Sequence, residues 1–141
     1  MRYHLVLRTV AKILTPLIML FAFYVQFHGD YGPGGGFQAG VIFSASLILY
    51  GLIFGLAALK QVIRPWVVRV MLASGVLIYG GVGVASLLLG GNFLDYGVLA
   101  HDPVHGQHLG ILLIELGVGI TVAAAMITIY FFFAGRKTTK Q

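Results

Sequence analysis

The chain has no cysteine, and among its 141 residues only four side chains are acidic: Asp30, Asp95, Asp102 and Glu115. Without cysteine there is no disulfide framework, no thiol nucleophile, no cysteine-ligated zinc and no iron–sulfur cluster. Charge of either sign is scarce, at 9% of residues against roughly 25% in an ordinary soluble domain. A soluble fold of this size has more surface than so few charges can cover. That excludes a soluble globular domain, a disordered tail and a coiled coil. What fills the chain instead is apolar, 59% of residues, with a mean hydropathy of +0.96. The composition describes one integral membrane domain. The sequence pI near 9.8 rests on nine Lys and Arg residues dispersed through apolar sequence, which form no groove for nucleic acid.

Crossing a hydrocarbon core of ~30 Å takes about 20 residues as a helix. The expected spans are about residues 9–27, 37–59, 67–89 and 109–134, with outer loops at 28–36 and 90–108. Phe37 to Leu59 carries no charge, and Leu109 to Ala134 carries one, Glu115. The first span is the shortest. It reaches full length when it starts near Thr9, with Lys12 extending to the interface. Pro16 is tolerable there because neighbouring helices re-satisfy freed backbone groups. A cleaved signal peptide is the alternative for this segment, but no small-x-small cleavage site precedes the glycine-rich loop.

The basic residues fall into three groups: Arg2, Arg8 and Lys12; Lys60, Arg64 and Arg69; Arg136, Lys137 and Lys140. The other two loops contain no lysine or arginine. By the positive-inside rule both termini are cytoplasmic. The expected fold is therefore all-α, with four transmembrane helices and N and C termini on the cytoplasmic side. Small residues recur within the spans: Gly51 and Gly55 as a GxxxG pair, then Gly75, Gly80, Gly81 and Gly83, then Gly117, Gly119, Ala123 and Ala124. Such residues let helix backbones approach closely. The blander alternative is that glycine is simply commoner in membrane helices. Four short spans do not readily wall off a pore, which points to a component of a larger assembly.

The first outer loop reads His28-Gly29-Asp30-Tyr31-Gly32-Pro33-Gly34-Gly35-Gly36-Phe37-Gln38-Ala39-Gly40. Gly34 to Ala39 satisfies a dinucleotide-binding pattern only formally. A membrane helix precedes it instead of a strand, and no carboxylate follows until Asp95. The physical expectation is a compact turn, with Pro33 fixing one φ and Gly34, Gly35 and Gly36 free to take φ > 0. The functional alternative is a nest of N–H groups that binds an anion or lines an ion path. The tripeptide Asp30-Tyr31-Gly32 recurs as Asp95-Tyr96-Gly97, but nothing else in the two halves aligns.

This loop, placed after a first span in a small four-span chain, resembles that of the MnhB-like component of the multisubunit Mrp-type sodium/proton antiporters. The order His28-Gly29, the longer spacing to Pro33 and Ala39 in place of a glycine depart from the usual family pattern. The resemblance implies an accessory subunit in the cell (inner) membrane, assembled with other membrane subunits of a complex that exchanges Na+ for H+. It implies no cofactor. In such complexes the large subunits carry protons on paired membrane lysines and glutamates, which this chain lacks. Related modules occur in membrane-bound hydrogenases and respiratory complexes, which stand as the alternative assembly. A freestanding metal-dependent membrane enzyme is the alternative from another class.

The second outer loop holds Asp95, His101, Asp102, His105 and His108. Asp102-Pro103 reads as an N-cap and first helical residue. A helix starting there puts His105, His108 and Glu115 on one face, with Gly119 and Ala123 continuing below Glu115. Glu115 is then expected against a close-packed helix. Three readings of this face stay open: a metal site, a proton or sodium route with histidines at its mouth, and a hydrogen-bonded structural glutamate. No lysine or arginine is expected within reach of Glu115. Its expected partner is a water-filled path, a histidine such as His108, or a group on another subunit.

Overall fold

The computed structural model describes residues 2–29 and 34–136. The described residues form five α-helices: α1 (Arg2–Phe27), α2 (Gly36–Phe54), α3 (Leu56–Val62), α4 (Pro65–Leu88) and α5 (Pro103–Gly135). A short 3₁₀ helix, Tyr96–Leu99, lies in the loop before α5. Four of them, α1, α2, α4 and α5, are long and apolar enough to cross a membrane.

The second helix is shorter than the charge-free run suggests. It stops at Phe54, because Gly55 takes φ +94° and ψ 159°, a region open essentially to glycine alone. The chain then restarts as α3, and Leu59 folds back against Gly51. Gly55 is thus a helix break, and the Gly51/Gly55 pair is not a helix-packing motif. Pro65 supplies the first residue of α4, where its missing N–H costs nothing.

Neighbouring residues fix the directions of the helices. Gly36, Gly40 and Gly51 of α2 meet Glu115, Gly119 and Tyr130 of α5 in that order, so the two run parallel. Gly75 of α4 packs on Gly117 and Thr121, while Gly117 reaches Tyr79, so α4 and α5 are antiparallel. The Phe23 and Phe43 rings meet edge-on at 5.7 Å, and Gly35 N–H donates to Val25 O at 3.3 Å, so α1 and α2 form a hairpin. Packing joins α1 to α2, α2 to α5, and α5 to α4, while α1 barely touches α5. The result is a row of helices in the order α1, α2, α5, α4. Its main core cluster is Leu47, Leu59, Val68, Ala124 and Ile127.

Close backbone approach explains several glycines, though not all those in the spans. A Cβ on Gly75 would strike Thr121 Oγ1 and lie 2.7 Å from Gly117 O. Gly83 instead takes the Phe93 ring from the loop, and Gly80 and Gly81 have no neighbour within reach of a Cβ. Buried Ser44, Ser46 and Ser86 donate to carbonyls of their own helices, at Val41, Phe43 and Val82. These hydroxyls therefore need no partner from outside their helix.

Basic groups gather at one end of the row. Arg8 and Lys12 lie 5.2 and 5.8 Å from the Phe54 ring centroid, and Lys60 lies 6.0 Å from that of Phe131. The other end is stepped. Gly36, where α2 begins, is level with Glu115, twelve residues into α5. The α1–α2 hairpin therefore stops ~18 Å short of the start of α5 at 1.5 Å per residue.

Candidate functional site

The two groups singled out in the sequence, the glycine-rich loop and Glu115, converge at this step. Glu115 is half-buried. A Cβ on Gly29 would lie 2.8 Å from its Oε2, and one on Gly35 would lie 3.5 Å from its Oε1. A Cβ on Gly36 would collide with the Glu115 carbonyl oxygen. The carboxylate is thus wrapped by the end of α1 and the start of α2, and Glu115 faces a packed helix as expected.

The glycines achieve this in different ways. Of Gly34, Gly35 and Gly36, only Gly35 has positive φ, at +130°. Gly34 is required by closeness to Val25 O, 2.7 Å from its would-be Cβ, and Gly36 by closeness to α5. Gly35 is also the N-cap of α2 and offers no side-chain acceptor to its free N–H groups. The Glu115 carboxylate, arriving from α5, lies beside this helix start. The N-terminus of a helix carries about half a positive charge, which favours an anion there. Sequence alone does not point to this helix end beside Glu115.

The other candidates are placed as follows. Asp30 and Pro33 lie outside the described residues. His28 is half-buried, and its ring stacks on Tyr24 at 5.0 Å. Phe37 is exposed. Asp102 caps α5 as expected, accepting from Val104 N–H at 3.2 Å, and its other oxygen meets His105 Nδ1 at 2.9 Å. This pair is solvent-exposed, as are His101 and His108. His105 lies ten residues before Glu115, ~15 Å along the helix, so it belongs to the exposed helix start and not to the carboxylate's surroundings. Among the described residues no three His, Asp or Glu side chains come together as a metal site. Asp95 caps the 3₁₀ helix by accepting from Gly97 N–H, and Tyr96 packs against Gly106 and Gly110. The second loop is thereby fastened onto α5.

Sequence reading missed Gln26. It is 6% exposed, on the last turn of α1, and its Oε1 would lie 2.7 Å from a Cβ on Gly119. Gly119 is one turn beyond Glu115. The signal was available in the spacing: Gly36-x-x-x-Gly40 on α2 matches Glu115-x-x-x-Gly119-x-x-x-Ala123 on α5, and a glutamine just inside the same loop faces that seam.

Four span-length helices in an open row, with a carboxylate of one of them seated beside a glycine turn, define a multi-pass membrane protein. Residues 6–128 match the family described as "Domain related to MnhB subunit of Na+/H+ antiporter". The chain is 35% identical over 136 residues to the "Putative antiporter subunit mnhB2" of Staphylococcus haemolyticus, covering 94% of this chain and 96% of that one. The protein of the same name from Staphylococcus aureus strain Newman is 33% identical over the same coverage. The chain therefore belongs to the MnhB family, as the MnhB-type component of a multisubunit Na+/H+ antiporter. It is part of a transporter rather than an enzyme.

Proposed function

We propose that the chain is an accessory subunit of a cell-membrane Na+/H+ antiporter, supporting its assembly and lining the outer mouth of an ion path at Glu115. Both termini are cytoplasmic in this reading. It is supported by the clustering of Arg8, Lys12 and Lys60 at one end of the row, because basic residues favour the cytoplasmic face. The glycine turn then faces outward. The other subunits of the complex cover the exposed faces of α1 and α4, which are the least buried of the four long helices.

The observation that carries the ionic part is the seat of the Glu115 carboxylate on Gly29 and Gly35. An ionisable group within a span is costly unless compensated, and marks an ion pathway by default. The start of α2 supplies partial compensation for the charge of the carboxylate. A carboxylate so placed can still exchange a proton or a sodium ion. His108 and the turn lie on its outer side.

The test is Na+-dependent proton exchange in membrane vesicles containing the complex with Glu115→Gln. The amide keeps the size and much of the hydrogen bonding but cannot exchange a proton. The complex should assemble at normal abundance while exchange falls at least several-fold and its pH dependence flattens. Wild-type transport across the working pH range would leave Glu115 a structural residue and end the ion-path reading.

A further inference from the structure

Gln26 also borders a cavity of about 210 Å³, lined by all four long helices. Its walls include Phe23, Phe43, Met71, Leu116 and Ile120. Gln26 is the single polar side chain among the described lining residues. Its Nε2 is buried and has no hydrogen-bond partner among them. A buried amide donor left unpaired is costly, the more so where no water competes. The buried hydroxyls of Ser44, Ser46 and Ser86 each meet a carbonyl of their own helix, so this amide is the exception.

The geometry shows how the donor can be answered. Oε1 of Gln26 lies over Gly119, which itself lines the cavity. A half-turn of the terminal amide exchanges Oε1 and Nε2; it brings the N–H groups to the cavity wall and leaves the carbonyl oxygen, less costly to leave unpaired than a donor, in the enclosed position. An occupant must then be apolar over most of its length and carry one hydrogen-bond acceptor.

Depth identifies the acceptor. Helix α2 has 19 residues, ~28 Å, close to the hydrocarbon thickness. The bilayer surface beside the α1–α2 hairpin therefore lies near the hairpin's own end, well below the start of α5. The stacked Tyr24 and His28 rings stand there, as amphipathic rings do at headgroup level. Gln26 is between them in sequence, within the last turn of α1. At that depth a membrane lipid presents its ester carbonyls, with the acyl chains running inward from them.

We infer that the cavity between the four helices is a glycerophospholipid site, in which one acyl chain occupies the apolar walls and its ester carbonyl accepts a hydrogen bond from Gln26 Nε2. The site is independent of whether Glu115 exchanges ions. A lipid held there wedges the hairpin against α5 directly below the carboxylate.

The test uses the whole complex, purified in mild detergent and reconstituted with a phosphatidylethanolamine carrying a diazirine in one acyl chain. Photolysis should label the segments containing Phe23, Phe43 or Met71. Excess diacyl phosphatidylethanolamine should compete, and the dialkyl ether analogue, which lacks the carbonyl, should compete at least five-fold less well. Gln26→Leu should lower labelling of these segments at least five-fold while leaving labelling near Leu88, on the exposed side of α4, unchanged. Equal competition by ester and ether lipids in the unaltered complex would overturn the proposal. So would undiminished labelling of Gln26→Leu, or no labelling of the cavity segments, which would mean that a partner helix fills the groove. The ester–ether comparison needs no variant and decides the matter even where Gln26→Leu does not assemble.

Discussion

Gly36, the first residue of α2, lies against the backbone of Glu115 so closely that no Cβ fits between them. This single contact sets the register between α2 and α5. One turn further on, a Cβ on Gly40 would lie 2.5 Å from Gly119 O. The seam therefore tolerates no side chain at either position. In lipid, where apolar burial gives helices little reason to associate, such close packing supplies the attraction.

Gly36→Ala is expected to separate the two helices. Overpacking typically costs about 1–3 kcal/mol, and here the obstacle is backbone, which cannot rotate away. The amount of complex recovered from membranes should fall sharply. Gly80→Ala is the matched control, because no described atom of this chain stands near that position. A loss with Gly80→Ala as large as with Gly36→Ala would place a partner protein on that face of α4.

Gly35→Val tests the turn. At φ +130° a β-branched residue is strained, and conformations of this kind cost on the order of 1–3 kcal/mol. Assembly should suffer more than the specific activity of the complex that remains. Normal abundance with lost exchange would reverse this assignment and give the turn a direct part in ion transfer.

Glu115→Ala removes both the charge and the carboxylate oxygens that lie beside the start of α2. Loss of an N-terminal cap typically costs about 0.5–2 kcal/mol. Thermal unfolding of the purified complex should therefore begin at lower temperature for Glu115→Ala than for Glu115→Gln. Equal midpoints would show that α2 draws nothing from this side chain.

Gly55→Ala probes the break between α2 and α3. No atom crowds the position, so any effect comes from the backbone at φ +94°. The expected penalty is again on the order of 1–3 kcal/mol, read as reduced thermal stability, with the separation of Lys60 from Phe131 increasing in a cross-linking assay. An unchanged melting profile would mean that the chain here accommodates a side chain by a route other than the observed bend.

Topology can be read with single cysteines, since the chain has none of its own. The variants Tyr31→Cys and Asn92→Cys should react with an impermeant thiol reagent applied from outside, whereas Gln61→Cys and Thr138→Cys should not. Labelling of Gln61→Cys from outside would invert the orientation.

The number of spans, the cap at Asp102 and the burial of Glu115 against a helix were legible because each rests on local chemistry: a run of apolar residues, an acid before proline, a glutamate above small residues at four-residue spacing. The end of α2 was not legible. Hydropathy continues unbroken from Phe37 to Leu59, and a glycine gives no sign of which φ it will adopt. One neighbour of Glu115 was hidden for a different reason. A sequence displays charged side chains, while a group beside the carboxylate is a helix terminus, which has no residue letter. Gln26 is one polar residue at the end of an apolar run, and a glutamine at that depth needs a reason to be there.

The step at the outer end of the row bears on voltage. Under the proposed orientation, the hairpin ends where α5 has already run ~18 Å, and Glu115 sits at the floor of that step. Moving one elementary charge across the entire low-dielectric layer is worth ~2.3 kcal/mol per 100 mV. A charge passing from the outer solution to Glu115 crosses only the part of that layer left above the floor. Ion exchange at the carboxylate should thus be nearly indifferent to membrane potential. Any charge movement that responds to the potential must then lie beyond Glu115, where the remaining insulating thickness lies.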